Sequence, residues 1–118
     1  MSLLINRLKS IGYAFKGAYL LIKTESSIQI QTVLAVLVTL AGFYFEISKT
    51  EWILQILTIA LVISIEGLNT AVEKIADFIH PDHHYKIGFI KDIAAGAVFI
   101  AAISAIVVGC IIYIPKIF

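Results

Sequence analysis

The stretch WILQILTIALVISIEGLNTAVEKIAD, residues 52–77, decides the fold of this chain, because a long apolar run in it ends in three carboxylates. Residues 52–65 carry no charge and have the composition of a membrane-spanning helix, in which a charged side chain costs roughly 3 kcal/mol at mid-depth. Glu66, Glu73 and Asp77 then follow at helical spacing. Acids are too costly at this place to be incidental, so the pattern predicts a polar site at the end of a membrane helix.

The composition of the whole chain indicates an integral membrane protein with a single domain, residues 1–118. Of its 118 residues, 60% are hydrophobic and only 14% are charged, whereas a soluble domain is about half apolar and about a quarter charged. A soluble chain this short also lacks the interior volume to bury so much apolar surface. The net charge of +1 provides no overall attraction to nucleic acid. Cys110 is the only cysteine, which excludes an intramolecular disulfide.

Residues 1–25 have the pattern of an amphipathic helix. Apolar side chains recur there at three- and four-residue steps, as in Leu4, Leu8, Ile11 and Phe15, and the cations lie mostly off that stripe. This arrangement is typical of a helix lying in the membrane interface, with its cations near anionic headgroups. An ordinary amphipathic helix packed against other protein would show the same pattern over parts of this segment.

Three further segments are predicted to span the membrane as helices, at residues 28–46, 52–79 and 88–114. The first is long enough, at about 1.5 Å per residue, to cross a hydrocarbon core of about 30 Å. Ser48 or Thr50 is expected to cap the second span, and a proline after that span ends it by removing a backbone donor. We therefore expect an all-α integral membrane protein with an amphipathic surface helix and three transmembrane helices.

The basic residues are distributed unevenly between the two predicted sides of the membrane. Lys49 and Lys116 fall on one side. The other side has Arg7, Lys9, Lys16, Lys23, Lys74, Lys86 and Lys91. Because cytoplasmic segments carry an excess of Lys and Arg, the N-terminal helix and the loop between the second and third spans are predicted to be cytoplasmic.

The polar residues of the second span form a ladder on one side of the helix. At about 100° per residue, Glu66, Asn69, Thr70, Glu73 and Asp77 share one face about 100° wide. Desolvation most disfavours the charged form of Glu66, the deepest acid, and a carboxylate poised in this way suits proton abstraction. Glu73 lies nearer the surface and suits a hard cation that is bound through oxygen.

Two other polar positions are expected to approach this face at similar depth. Glu25 precedes the first span, and Lys91 with Asp92 opens the third. A lysine beside carboxylates can hold phosphate oxygens, and carboxylates can hold a magnesium ion that bridges those phosphates. The combination indicates phosphoryl transfer. Hydrogen bonding between helices, or a solvated helix end, would also explain the presence of individual polar residues. His83 and His84 are expected to lie in an exposed polar loop rather than to bind a metal.

Two motifs resemble the prokaryotic diacylglycerol kinase family, which includes the undecaprenol kinases of Gram-positive bacteria. They are E-x-x-N-T-A-x-E-x-x-x-D at 66–77 and K-D-x-A-A-G-A-V at 91–98. The similarity extends over nearly the whole chain, through GYAFKG at 12–17 and Glu25 before the first span. The resemblance implies an ATP- and Mg²⁺-dependent lipid kinase in the bacterial inner membrane, which works as a homotrimer with active sites between subunits at the cytoplasmic face.

The resemblance also implies roles for individual residues. Glu66 corresponds to the catalytic base that activates the lipid hydroxyl, and Glu25 and Glu73 correspond to the metal ligands. The positions that match the nucleotide and phosphate site are Asn69, Asp77, Lys91, Asp92, Lys16 and Tyr13.

The sequence alone leaves open the identity of the lipid substrate. It also leaves open two other functions. The run at 91–98 is more similar to the undecaprenol kinase branch, which favours a polyprenol over diacylglycerol as the substrate. A non-catalytic transporter or assembly subunit could use the same acids as an intramembrane carboxylate relay. A pseudo-enzyme would bind lipid or nucleotide without turning it over.

Overall fold

The computed structural model describes all 118 residues and contains four helices and no strand. The helices are α1 (Ser2–Thr24), α2 (Ser26–Tyr44), α3 (Lys49–Ile79) and α4 (Tyr85–Ile117). The last three are long and apolar enough to cross a membrane. The predicted all-α membrane fold is therefore confirmed. At the majority of helix ends, the observed bound differs from the predicted one by two or three residues. Helix α4 continues to Ile117, beyond the predicted end at residue 114, because Pro115 lies in the last turn, where few backbone bonds remain to be lost.

The turn between α2 and α3 is held by a capping box. The backbone N–H of Glu51 donates to Ser48 Oγ at 3.2 Å, and the backbone N–H of Ser48 donates to Glu51 Oε1 at 2.9 Å. Ser48 rather than Thr50 is therefore the cap of α3. Lys116 at the end of α4 donates to Glu51 Oε2 at 3.0 Å. The start of α3 and the end of α4 thus meet at the same end of the bundle.

A buried hydrogen-bond network joins the three spanning helices near this end. The hydroxyl of Tyr113 on α4 donates to Oε1 of Gln55 on α3 at 2.5 Å, and it lies 3.2 Å from the carbonyl oxygen of Val38 on α2. The side-chain amide of Gln55 also donates to the Val38 carbonyl at 3.4 Å. Gln55 is only 4% exposed. Polar groups inside a membrane are costly unless paired, and these are paired with each other.

Helix α1 contacts the rest of the bundle only near its C-terminal end. All its residues except Leu21 are exposed, and the molecule measures 50 × 47 × 21 Å, which is too wide for three adjacent antiparallel helices alone. Glu25 separates α1 from α2 in an extended conformation, with φ −100° and ψ 115°. Only ten of the 118 residues are buried. The apolar surface left over is what lipid would cover, in agreement with the membrane assignment.

Candidate functional site

The polar face of α3 becomes progressively more exposed along the helix. Glu66 and Thr70 are buried, with 8% and 7% of their surface exposed. Asn69 is half-buried, and Glu73 and Asp77 are exposed. This gradient agrees with the depth order that the sequence predicts. One carboxylate is therefore enclosed by the chain, and two others are left uncovered by it.

A close approach between helices positions α1 over this part of α3. A Cβ atom at Gly67 would lie 3.0 Å from Cδ1 of Leu21, so the missing side chain of Gly67 makes room for Leu21. Leu21 is also the least exposed residue of α1. The contact holds the last turn of α1 beside Glu66, the neighbour of Gly67 in sequence.

An ion pair brings Glu25 to the same face. Nζ of Lys74 lies 3.4 Å from Oε1 of Glu25, whose side chain is 25% exposed while that of Lys74 is 71% exposed. The junction of α1 and α2 therefore meets α3 at the residue that follows Glu73. This contact of Lys74 was not among those predicted from the sequence. Its position next to Glu73 was the available signal.

A second ion pair joins α4 to the same end of α3. Nζ of Lys91 donates to Oδ1 of Asp77 at 2.5 Å, with both side chains partly exposed. Asp92 is exposed and has no ion-pair partner within the chain. The predicted approach of Lys91 to the acidic face is thus observed, and Asp77 is the acid that it meets.

Asn69 lies between the buried and exposed acids with one of its polar atoms unused. Its amide nitrogen donates to Glu73 Oε1 at 3.4 Å. Its oxygen, Oδ1, is buried and has no hydrogen-bond partner. Buried polar atoms are nearly always paired, and exceptions are candidates for a role in binding. Asn69 can therefore accept a hydrogen bond from a group that enters this site.

Two predicted site residues are not brought to the acidic face. Tyr13 is 71% exposed, and Lys16 on the next turn of α1 is also exposed. Neither makes a side-chain hydrogen bond or ion pair with the rest of the chain. Both lie more than a turn from Leu21, where α1 meets α3.

The acidic side chains do not form a complete metal cage within one chain. No group of three or more His, Cys, Asp or Glu residues lies close enough to hold an ion. Mg²⁺ rarely needs such a cage, since one or two carboxylates, substrate phosphates and water usually bind it. Glu25 and Glu73 are compatible with that mode. His84 instead accepts a hydrogen bond at 3.1 Å from the backbone N–H of Lys86 and caps α4.

Comparison with known proteins places this arrangement in a family. The family model described as prokaryotic diacylglycerol kinase matches residues 12–113. An undecaprenol kinase of Bacillus subtilis is 37% identical over 92% of this chain and 88% of its own length. A diacylglycerol kinase of Synechocystis is 34% identical over 93% of this chain and 63% of its own length. One of Escherichia coli is 30% identical over 89% of this chain and 86% of its own length. The chain belongs to the prokaryotic diacylglycerol kinase family.

Proposed function

We propose that this protein transfers the γ-phosphoryl group of ATP to the hydroxyl of a membrane lipid. Membership of a lipid kinase family supports the reaction, and ATP is the co-substrate that a kinase requires. The assignment of the site rests on the buried carboxylate of Glu66. This residue lies at the end of an apolar helix face, and exposed polar residues follow it along the helix. Such a position allows a lipid hydroxyl and a water-soluble nucleotide to meet.

In this proposal Glu66 is the general base. Its carboxylate accepts the proton of the lipid hydroxyl while that oxygen forms a bond to the γ-phosphorus. The bond from the γ-phosphorus to the bridging oxygen breaks, and ADP leaves with the bond's electron pair. Burial of Glu66 limits access of water, which favours transfer to the lipid over hydrolysis.

Glu25 and Glu73 are the residues that would hold Mg²⁺. Glu73 is exposed, and Glu25 pairs with Lys74, the residue that follows Glu73 in sequence, which supports both carboxylates as ligands of one ion. When bound, Mg²⁺ supplies neutralising charge for the β- and γ-phosphate oxygens. Two carboxylates suffice for an ion whose remaining ligands are phosphate and water.

The nucleotide site in this proposal consists of groups that are exposed or left without a partner. Lys91 can exchange Asp77 for a phosphate oxygen, because both members of that pair are partly exposed. Asn69 Oδ1 can accept a hydrogen bond from the nucleotide or the lipid. Asp92, Lys16 and Tyr13 complete the proposed set.

We further propose that the enzyme is a homotrimer in the bacterial inner membrane, with its N-terminus in the cytoplasm. The exposure of Tyr13, Lys16 and Asp92 supports sites shared between subunits, since a neighbouring chain would bring these residues to an acidic face. In this orientation Lys74 and Lys91 would face the cytoplasm, where ATP is available. The excess of basic residues in α1 supports the same orientation.

The identity of the lipid substrate is tested with the two lipid alcohols that the relatives' names indicate. The purified protein in mixed micelles is given γ-labelled ATP with either undecaprenol or diacylglycerol, and the labelled lipid is extracted. We expect product with at least one lipid, and with undecaprenol in preference. If neither is labelled, the kinase proposal fails. Ion flux in liposomes without ATP consumption would instead support the carboxylate relay.

A further inference from the structure

An apolar groove lies between α2, α3 and α4, away from the polar residues described above. It has a volume of about 420 Å³, and 13 of its 17 lining residues are hydrophobic. Sites for small molecules have volumes of a few hundred cubic ångströms and are mostly apolar with a few polar groups. Its chemistry therefore matches a hydrocarbon chain better than a nucleotide.

The α3 wall of this groove leads to Glu66. Gln55, Ile59 and Val62 line the groove, and Glu66 is the next residue of the same helix face, since steps of three or four residues repeat a direction. Along α3 the lining residues extend from Gln55 to Ile63, or ~12 Å. The groove is therefore slightly shorter than one leaflet of a hydrocarbon core of ~30 Å, and Glu66 lies about one turn beyond its last lining residue on α3.

The two ends of the groove differ in their polar groups. At one end, Tyr113 and Gln55 are hydrogen-bonded to each other at 2.5 Å and form a closed floor. Toward the other end, Oε1 of Gln31 is buried with no hydrogen-bond partner. An unpaired oxygen in a membrane interior costs free energy, and a hydroxyl donor entering the groove would remove that cost.

We propose that this groove binds the hydrocarbon chain of the lipid acceptor, with the hydroxyl toward Gln31 and Glu66. This inference rests on the proposed lipid kinase function and extends it to the place where the chain binds. An uncharged lipid alcohol offers mainly apolar surface for recognition, and burial of that surface supplies binding free energy in proportion to its area. The groove adds shape and depth, which bulk lipid around the bundle does not provide.

Gly109 provides a test, because it lines the groove and a Cβ atom there would meet nothing within 4 Å. Gly109→Phe would fill the groove without a clash at the backbone. Val107→Phe is the matched control, since Val107 lies on the same helix, is 51% exposed and does not line the groove. We expect Gly109→Phe to raise KM for the lipid roughly tenfold or more and to leave KM for ATP unchanged. The control should change neither.

A second measurement uses the unaltered protein. Cys110 lines the groove, is exposed and is the only cysteine, so a lipid chain bound in the groove should shield it from a small thiol reagent more than detergent alone does. We expect a saturating acceptor lipid to slow this modification several-fold, and a lipid without a free hydroxyl to slow it less. Mass spectrometry of the intact chain follows the modification without relying on enzyme activity.

The outcomes separate this inference from the proposed function. If the unaltered enzyme phosphorylates no lipid, the proposed function fails. If it is active but Gly109→Phe leaves KM for the lipid unchanged, or if the lipid does not protect Cys110, the groove is not the chain site. If Gly109→Phe changes the oligomeric state measured in detergent, the groove is an interface between copies of this chain and the inference is overturned.

Discussion

The two ends of the helical bundle both contain polar side chains, but they use them differently. At the end where α3 begins, Glu51 is bonded to Ser48 and Lys116, and Gln55 is bonded to Tyr113 and Val38. At the end where α3 terminates, an oxygen of Asn69 has no partner, and the ion pairs of Lys74 and Lys91 are open to solvent. Satisfied groups hold helices together, whereas exposed or unpaired groups are available to a ligand. The comparison therefore favours the second end as the place where a ligand binds, as the proposed function requires.

The largest effect is expected at Glu66. Glu66→Gln keeps the size of the side chain and removes the base, so turnover should fall by a factor of ~10²–10⁴. The thermal unfolding midpoint should change little, because the amide can occupy the same space. Glu46→Gln is the control, since Glu46 is exposed in the turn at the opposite end. Retained turnover in Glu66→Gln would remove this residue from the role of base.

A large effect on stability, with a small one on catalysis, is expected at Gln55. Gln55→Leu removes two hydrogen bonds, one from the Tyr113 hydroxyl at 2.5 Å and one to the Val38 carbonyl at 3.4 Å, and should lower the free energy of unfolding by about 1–3 kcal/mol. Tyr113→Phe in the same background should then cost less than it does alone, because the two changes remove one shared interaction. Additive losses in this double-mutant cycle, measured by unfolding in mixed micelles, would contradict the network.

The N-cap of α3 should contribute less to the free energy of unfolding than the hydrogen bonds of Gln55. Ser48→Ala removes the acceptor for the Glu51 backbone N–H and should lower the free energy of unfolding by about 1 kcal/mol. Thr50→Ala is the matched control, because Thr50 has no capping role. Equal losses for the two variants would show that Ser48 is not the cap. Turnover should be unchanged in both.

The smallest effect is expected at Lys74, whose pair with Glu25 is largely exposed. Such pairs contribute only about 0–1 kcal/mol, so Lys74→Met should leave the unfolding midpoint nearly unchanged. In the absence of nucleotide, Lys74→Met should bind Mn²⁺ more tightly, with a lower half-saturating Mn²⁺ concentration. The reason is that the substitution removes a cation that competes for Glu25. Binding is followed by electron paramagnetic resonance of free Mn²⁺, with Lys86→Met as the control. Weaker Mn²⁺ binding in Lys74→Met would mean that Lys74 positions Glu25 rather than competing for it.

Much of the fold could be predicted from the sequence because membrane helices are defined by local composition. Runs of apolar residues of sufficient length predict α2, α3 and α4, and their observed bounds lie close to the predicted ones. The depth order from Glu66 to Asp77 follows from position along one helix, and the burial of these residues agrees with it. Helix ends were less accurate, as at Pro115, because a proline in the last turn breaks few hydrogen bonds.

Contacts between helices could not be predicted from the sequence in the same way. The pairing of Lys74 with Glu25 and the network at Tyr113 each join residues that are far apart in sequence. Their partners depend on how the helices cross and at what register, which side-chain packing determines. The apolar groove has the same origin, since small residues such as Gly109 create space only when other helices surround them.

By itself, the sequence determined that this protein is a four-helix membrane protein with a ladder of acids on α3, because hydrophobic length and helical periodicity are local properties. Its motifs also determined the family, which the comparisons confirm. Only the tertiary structure decided which acids are paired, which oxygens are left free at Asn69 and Gln31, and where an apolar groove lies between α2, α3 and α4. Pairing and cavity shape depend on the relative placement of helices, which no single segment encodes.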